Sequence, residues 1–381
     1  MPAFHLLQHK SFIQSLAVLP PTAQRKAIWA QVQLGASGRT PVVKGTMGRN
    51  ARWRRTPVQG NHYYLWWIPQ SESALNANGR DTQNGARNTI LVHSVRHHDF
   101  TDQPVNLGTL DDYTPVPIDT LDPRFEEQRA ISRPPTPGTV DVATIKGLPG
   151  SGKTIALLYL LRDLLARDET GRVLYVTYTA RLKRAAQDFV EAQYIARTGN
   201  PPEQLRERLR IVTLNELVSE LTGLSIYLEP FGELREFQAF IDRQNPADLG
   251  PWRAYPRTLF TEIRAHLLGR DFPANYDWAQ DNLGGSGLDL LTYAEERGLE
   301  LDEAEIAFDL AKRMRRTRYF RDQTAARLAL ADLSAGKAPQ WLSGLDALVV
   351  DEVQDLTLIQ IALMAELLRV RAREAGDRNL T

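Results

Sequence analysis

The stretch from Gly147 to Thr154 reads GLPGSGKT and contains the residue types that bind nucleotide phosphates. It fits the pattern G-x-x-x-x-G-K-[ST], whose glycines let backbone N–H groups turn toward phosphate oxygens at the start of a helix. In this pattern Lys153 reaches the β- and γ-phosphates, and Thr154 holds Mg²⁺. The sequence therefore predicts an ATP and Mg²⁺ site whose loop also includes Gly147, Pro149, Gly150, Ser151 and Gly152.

A second polar group follows an apolar run near the end of the printed chain. The run LVVDE, from Leu348 to Glu352, ends in two neighbouring carboxylates. A carboxylate at the end of a strand can hold Mg²⁺, and a second one beside it can orient or deprotonate an attacking water. We therefore predict Asp351 as a metal ligand and Glu352 as a general base. The alternative is a solvated strand end, or a negative cap on the helix that follows.

Strand-like and helix-like runs alternate from about residue 122, and these elements would position both groups. Apolar runs at VDVATI, RVLYVTY, LRIVTL and LDALVVDE predict strands, whereas KTIALLYLLRDLLARD and ARLKRAAQDFVEAQYIARTG have helical spacing. Such alternation is typical of an α/β fold in which a parallel sheet is covered by helices on both faces. Residues 216–340 have a mostly helical pattern, so we predict that they form an inserted helical subdomain.

The stretch DEVQD, from Asp351 to Asp355, resembles the D-E-x-Q-D motif of superfamily 1 helicases of the UvrD/Rep type. Three further stretches follow the order of that family. LDPRFEEQRAI resembles its Q-motif, VLYVTYTARL its motif Ia, and IVTLNEL the strand that comes next. The resemblance covers about residues 121–381. It implies a P-loop, RecA-like domain formed by residues 122–215 and 341–381, interrupted by the helical subdomain at 216–340.

The same resemblance implies roles for individual residues. Gln128 would read the adenine, and Gln354 would belong to the nucleotide site. Gln354 and Asp355 would couple the nucleotide state to the DNA track and to a second motor domain; the alternative is a local hydrogen-bonding turn. The residues implied to lie along single-stranded nucleic acid are Tyr178, Thr179, Arg181 and Thr213.

The implied activity is ATP hydrolysis coupled to movement along single-stranded or forked DNA and to its unwinding. Superfamily 1 motors need two RecA-like domains, and arginines of the kind that the second one supplies are worth roughly 10³–10⁵ in rate in related NTPases. The printed chain ends in REAGDRNLT, before the motifs of such a domain. We therefore expect a second RecA-like domain in the full-length protein. We also expect this chain to bind ATP with Mg²⁺, to hydrolyse it slowly and not to unwind a duplex alone.

Residues 1–100 are strongly basic, although the whole chain has a formal net charge of zero. A basic surface suits a polyanionic partner. Helical spacing interrupted at Pro20 and Pro21 predicts two helices joined by a turn, and ARWRRTPV, HYYLWWIP and NTILVHSV predict three strands. This small α+β pattern, which ends in an arginine- and histidine-rich strand, is similar to the RelE/ParE toxin superfamily.

The RelE/ParE resemblance implies RNA cleavage by basic and histidine side chains rather than by a metal. The candidates are Arg52, Arg54, Arg55, Arg96, His97 and His98. Three alternatives stay open: a solvated basic surface, a metal site formed by His93, His97 and His98, and packing of half of this strand in a core. We predict that Trp53, Trp66 and Trp67 pack in the core or on the sheet face rather than stacking with bases.

Two further segments complete the domain organisation. Residues 101–121 contain Pro104, Pro115 and Pro117 and little periodicity, so we predict a linker. The run AKRMRRTRYFRD lies in the predicted helical subdomain and combines arginines with aromatic residues. It either grips a nucleic-acid backbone or covers a buried stripe formed by Leu310, Met314 and Phe320.

Composition excludes several classes of protein. The absence of cysteine excludes disulfides and thiolate metal sites. No apolar run reaches the ~18 residues of a membrane helix, and the start MPAFHLLQHK lacks the pattern of a signal peptide. We therefore predict a cytoplasmic protein without a membrane partner. Two competing hypotheses are a RelE-like ribonuclease fused to an ATP-sensing domain and a non-catalytic ATP-binding interaction protein.

Overall fold

The computed structural model describes residues 4–45, 52–60, 62–73, 88–100, 103–124, 126–131, 133–134, 143–147, 151–167, 171–226, 230–273, 289–314 and 320–374. The chain forms two compact units. The first comprises Met1–Thr170 and Arg184–Leu209, and the second comprises Gly171–Lys183 and Arg210–Thr381. The domain boundaries that the sequence suggests stay predictions.

A six-stranded sheet organises the first unit. Its strands are β1 His5–His9, β2 Lys44–Gly45, β3 Arg54–Gln59, β4 Tyr63–Pro69, β5 Thr89–His97 and β6 Tyr113–Val116. They are arranged in the order β2-β3-β4-β5-β1-β6. The pair β1–β5 is parallel, whereas β2–β3, β3–β4, β4–β5 and β1–β6 are antiparallel. The sheet is therefore mixed, and its central strands are buried on both faces.

Two helices cover one face of this sheet, α1 Lys10–Ala17 and α2 Pro21–Ser37. Pro21 occupies the first turn of α2, where a missing N–H costs no hydrogen bond. The alanines of α2 pack with Trp67 in one hydrophobic cluster, whereas Trp66 and Trp53 pack in a second cluster. The predicted helices, strands and tryptophan packing of this region are confirmed.

The segment predicted as a linker contributes an edge strand to the sheet. Strand β6 pairs antiparallel with β1, so that Leu7 lies opposite Pro115. An edge position tolerates proline because one side of the strand makes no ladder hydrogen bonds. Beyond β6, Ile118 is buried in the helix-covered core. The prolines that suggest a linker therefore lie in an ordered part of the first unit.

Among the described residues, four more helices contribute to the first unit, one before the predicted phosphate loop in the sequence and three after it. They are α3 Glu126–Ile131, α4 Lys153–Arg167, α5 Ala180–Thr198, of which the first turn belongs to the second unit, and α6 Glu203–Arg206. The strand predicted at VDVATI is not formed over residues 143–147, which have no regular secondary structure. Residues 140–142 of that stretch lie outside the described part of the chain.

A three-stranded sheet with the order β8-β7-β9 lies in the core of the second unit. Its strands are β7 Arg172–Thr177, β8 Leu209–Thr213 and β9 Leu345–Val350. Strands β7 and β9 are parallel, with Leu174 opposite Leu348 and Val176 opposite Val350. These apolar runs are the ones that predict strands, and the mixed α/β character of the chain is thereby confirmed.

Helices account for most of the described residues between β8 and β9, and one more helix follows β9. They are α7 Leu214–Thr222, α8 Pro230–Ile241, α9 Pro246–Leu249, α10 Pro256–Thr261, α11 Leu290–Arg297, α12 Leu301–Met314, α13 Arg321–Ser334 and α14 Leu358–Glu374. Residues Glu262–Leu267 continue α10 as a π-helical turn. The helical pattern is confirmed, whereas a separate inserted subdomain stays a prediction.

The two interpretations of the basic run that begins in α12 are a grip on nucleic acid and the cover of a buried stripe, and the structure contains this stripe. Leu310, Met314 and Phe320 are buried together in a helical core, whereas Lys312 and Arg313 are exposed. Residues 315–319, which carry the other basic side chains before Arg321, lie outside the described part. No helix among the described residues is long and apolar enough to cross a membrane.

Candidate nucleotide-binding site

The predicted phosphate loop leads directly into α4. Lys153 is the first residue of this helix, and its Nζ donates a hydrogen bond to the carbonyl oxygen of Gly147 at 3.0 Å. The lysine side chain therefore contacts the first residue of the predicted loop, and Thr154 follows it in the first turn, half-buried. A helix N-terminus with exposed N–H groups favours an anion. Pro149 and Gly150 of the predicted loop lie outside the described residues.

Gln128 contacts the same loop from α3. Its Nε2 donates to the carbonyl oxygen of Ser151 at 2.5 Å. Gly152 has a φ of 83°, and a Cβ atom at this position would lie 2.6 Å from the same Nε2. Only glycine fits this backbone without displacing Gln128. The structure thus brings Gln128 to the loop, while its role in reading adenine stays a prediction.

Asp351 stands at the end of β9 and is only 3% exposed. Its backbone N–H donates to the carbonyl of Val176 at 2.9 Å, which continues the pairing of β9 with β7. The hydroxyl of Tyr175 donates to Asp351 Oδ2 at 3.0 Å, and the N–H of Glu352 donates to Oδ1 at 3.0 Å. Burial, followed by the charge of Asp351, raises the pKa of Tyr175, so the phenol stays a hydrogen-bond donor.

Sequence reasoning missed Tyr175 as a partner of the predicted metal ligand. It lies within the apolar strand RVLYVT, where the sequence predicts only that a tyrosine packs in the core. The available signal was the hydroxyl itself, since a buried tyrosine usually finds a hydrogen-bond partner. Tyr175 therefore fixes one carboxylate oxygen of Asp351 through a bond between neighbouring parallel strands.

Glu352 adopts a left-handed backbone conformation with a φ of 58°. Such a conformation is costly for a residue with a side chain and often marks a functional site. Glu352 is half-buried, and Gln354 Nε2 donates a hydrogen bond to its carboxylate. Burial, followed by the charge of Glu352, raises the pKa of Asp355. The DEVQD residues therefore form the local hydrogen-bonding turn, and a coupling role for Gln354 and Asp355 stays a prediction.

The four residues implied to contact nucleic acid differ in their surroundings. Thr213 is the N-cap of α7 and exchanges backbone and side-chain hydrogen bonds with Glu216. Thr179 Oγ1 accepts a bond from a backbone N–H in α5, and the Tyr178 hydroxyl accepts one from Arg264. Arg181 is exposed. Three of the four thus have structural partners, and a nucleic-acid role for any of them stays a prediction.

A buried polar network follows the DEVQD turn, and sequence reasoning missed it. Asp322 Oδ2 accepts hydrogen bonds from Arg264 at 2.6 Å, Gln323 at 2.8 Å and Gln360 at 3.1 Å. Thr357 donates its hydroxyl to Gln323 and its backbone N–H to the Gln360 side chain. The hydrogen bonds among these groups compensate for the cost of removing them from water. The network holds the start of α14 against α13.

The basic candidates of residues 1–100 lie in different places on the six-stranded sheet. Arg55 and Arg96 each lie over the Trp66 ring, both 5.6 Å from its centroid. Arg54 lies over Trp67, which packs in the helix-covered core, and pairs with Glu72 at 2.5 Å. Arg52 is exposed in the turn before β3. His97 and His98 lie at the end of β5.

His93 does not join His97 and His98, although all three lie on one short stretch. It is buried, its Nε2 contacts the carbonyl of Asn106 at 2.9 Å, and its ring stacks on His9 with centroids 4.4 Å apart. Burial is the main cause that lowers the pKa of His93 to about 4. The metal site suggested for His93, His97 and His98 is therefore wrong, because His93 faces a different environment.

Two features of the chain are typical of P-loop nucleotide-binding proteins of mixed α/β fold, namely the G-x-x-x-x-G-K-T sequence that leads into α4 and the carboxylates that follow β9. A family model described as an AAA domain matches residues 138–378, which is more than half of the chain. The chain therefore belongs to this AAA-domain family, a P-loop AAA-type domain found in UvrD/Rep-like helicases. No curated protein and no solved structure matches it.

Proposed function

We propose that the chain is the ATP-binding motor domain of a UvrD-like superfamily 1 DNA helicase. In this function ATP hydrolysis drives movement along single-stranded DNA. The observation that carries the proposal is the DEVQD turn, in which Asp351 is held by Tyr175 and Glu352 takes a strained backbone conformation. The match of residues 138–378 to the AAA-domain family supports it, since this match includes both the phosphate loop and the turn.

In the proposed function Lys153 exchanges the carbonyl of Gly147 for phosphate oxygens. The Nζ donates to that carbonyl at 3.0 Å, and a phosphate oxygen would replace it as the acceptor. The backbone N–H groups of the first turn of α4 bind the same anion. Thr154 lies in the first turn of α4, where its hydroxyl can serve as a Mg²⁺ ligand.

Asp351 is proposed as a further Mg²⁺ ligand, and its environment fits that role. A carboxylate oxygen has two lone pairs, so Asp351 can keep the bond from Tyr175 while it contacts a cation directly or through water. Mg²⁺ prefers such oxygen ligands. Asp351 is only 3% exposed, and the positive charge of the ion would compensate the buried negative charge of its carboxylate. Glu352 beside it is the proposed general base, with its carboxylate oriented by Gln354.

Single-stranded DNA is the proposed track, and Arg181 is the proposed phosphate contact. It is exposed at the start of α5, next to Tyr178 and Thr179. Phosphate contacts by arginine make affinity dependent on salt but carry no sequence preference. Replacing the ssDNA by ssRNA in the assay below establishes which nucleic acid the motor uses.

ATP hydrolysis with and without ssDNA tests the proposal. We expect hydrolysis that ssDNA stimulates, loss of at least ~100-fold in rate for Glu352→Gln, and unchanged ATP binding by that variant. Lys153→Ala should abolish ATP binding instead. Glu305→Gln, the same substitution at an exposed site of α12, is the matched control. Absence of ATP binding by the wild type would refute the proposed function, whereas normal hydrolysis by Glu352→Gln would refute the assignment of the base.

A further inference from the structure

Three histidines converge at one end of the six-stranded sheet in the first unit. His62 precedes β4, His97 ends β5, and His98 begins the 3₁₀ turn that follows. One ring nitrogen from each lies within 4.8 Å of the other two. His97 and His98 are adjacent in sequence, whereas 34 residues lie between His62 and His97. The fold therefore brings His62 to the other two.

The backbone fixes this arrangement. Tyr63 pairs with His97 across the antiparallel strands β4 and β5, which places His62 beside the end of β5. The N–H of His98 donates to the carbonyl of His62 at 2.8 Å. The three Cα positions are therefore set by strand pairing, and only side-chain rotation remains to adjust the rings.

The rings form a compact cluster. The centroids of His97 and His98 are 4.2 Å apart, and those of His62 and His98 are 5.9 Å apart. Nitrogens bound to one Zn²⁺ at about 2.0–2.1 Å in a tetrahedron are roughly 3.4 Å from each other. Since His62 is exposed, rotation of its ring, with adjustments of His97 and His98 that keep their contacts with Asp99, can close the difference.

Asp99 provides the carboxylate that often supports metal-binding histidines. Its Oδ2 lies 3.1 Å from His97 Nδ1, and its Oδ1 lies 2.9 Å from His98 Nε2. A carboxylate on one ring nitrogen fixes the orientation of the imidazole and makes the other nitrogen a stronger ligand. One acidic residue thus orients two of the three rings.

We propose that His62, His97 and His98 form a binding site for a divalent transition metal, with Asp99 as its positioning carboxylate. Three imidazoles suit Zn²⁺, which in such sites keeps a fourth position for water. The site is independent of the proposed nucleotide-dependent function. It also gives His97 and His98 a role different from metal-free RNA cleavage.

Titration of chelator-treated, tag-free protein with Zn²⁺ by calorimetry tests the site. We expect one ion per chain, with affinity reduced at least ~100-fold by His62→Gln or His98→Gln, and about 10–100-fold by Asp99→Asn. His5→Gln, an exposed histidine on β1, is the matched control and should bind normally. Circular dichroism of each variant checks that the sheet is still folded.

Co²⁺ gives a second readout that does not depend on affinity alone. Cobalt bound by three imidazoles and water should show the visible absorption of a four-coordinate ion, and the band should disappear in His98→Gln. Lack of stoichiometric Zn²⁺ binding overturns the proposal. Binding that His62→Gln and His98→Gln leave unchanged overturns it as well, because the ion then sits elsewhere.

Discussion

His93 should make the six-stranded sheet sensitive to acid. Its side chain is 4% exposed in the centre of β5. Its Nε2–H donates to the carbonyl of Asn106 at 2.9 Å, which leaves Nδ1 to accept from the Ser94 hydroxyl at 3.0 Å. His9 stacks on the ring at 4.4 Å, so a proton on His93 would be buried against a second imidazole. Burial is the largest cause that lowers the pKa of His93 to about 4.

The sign of the effect follows from proton binding in the two states. An unfolded histidine titrates near 6.5, so between that pH and about 4 the unfolded chain binds a proton that folded His93 refuses. The contribution of neutral His93 to the free energy of unfolding is therefore fully present above pH 6.5 and is lost as the pH falls toward 4. Each pH unit in this window is worth about 1.4 kcal/mol, which gives a loss of about 2 kcal/mol at pH 5 and about 3 kcal/mol near pH 4.

Hydrogen exchange of β4 and β5 measures this loss locally. Protection of their amides, corrected for the intrinsic effect of pH on exchange, gives the free energy of opening at each pH. His93→Gln keeps a side-chain donor for the carbonyl of Asn106 but cannot be protonated. We expect the wild type to lose about 2 kcal/mol more than His93→Gln between pH 7 and pH 5. His5→Gln, at an exposed site, should follow the wild type.

Parallel profiles of the wild type and His93→Gln across this window would refute the reasoning. So would an NMR titration in which the His93 ring takes up its proton near pH 6.5 while the sheet is folded. Either result would mean that the ring is less buried, or better partnered when charged, than its contacts with His9 and Asn106 indicate.

Two further predictions concern the other parts of the chain. Arg264→Met should destabilise the second unit by about 3–5 kcal/mol in urea denaturation, because the buried carboxylate of Asp322 loses its cation. Arg264→Met/Asp322→Asn should recover part of this loss, since a neutral amide oxygen can still accept from Gln323 and Gln360, and equal stability of the two variants would contradict the role of the ion pair. Gly152→Ala should weaken binding of a fluorescent ATP analogue at least ~10-fold, because the added Cβ would lie 2.6 Å from Gln128 Nε2 and would displace this side chain from the loop. The control is Gly199→Ala, which has a similar φ of 69° and no atom within 4 Å of the added Cβ, and it should bind the analogue normally.

Local patterns were sufficient to predict the strands that are rich in apolar residues. β7 and β9 are mostly apolar, and β4 and β5 are rich in aromatic and β-branched residues. The start of α4 was also predictable, because a lysine after glycines has a strong local signature. In these stretches propensity, burial and motif indicate the same structure.

The short strands β1 and β6 could not be predicted in this way. β1 is a five-residue run that pairs with β5 and β6, each more than 80 residues away. Nothing local indicates such pairing, and Pro115 in β6 and Pro117 after it indicate a linker instead. His62 was missed for the same reason, since its approach to His97 depends on the register of β4 and β5.

The two ends of the DEVQD segment explain how a strained residue is held in place. At one end Tyr175 bonds Asp351 across neighbouring strands, and at the other end Thr357 and Gln360 join the buried network of Asp322. Glu352, with its left-handed backbone, lies between these two anchors. Because both anchors are buried, the backbone position of Glu352 is set by packed elements rather than by a free loop. The proposed general-base role of Glu352 requires a backbone that is held in this way.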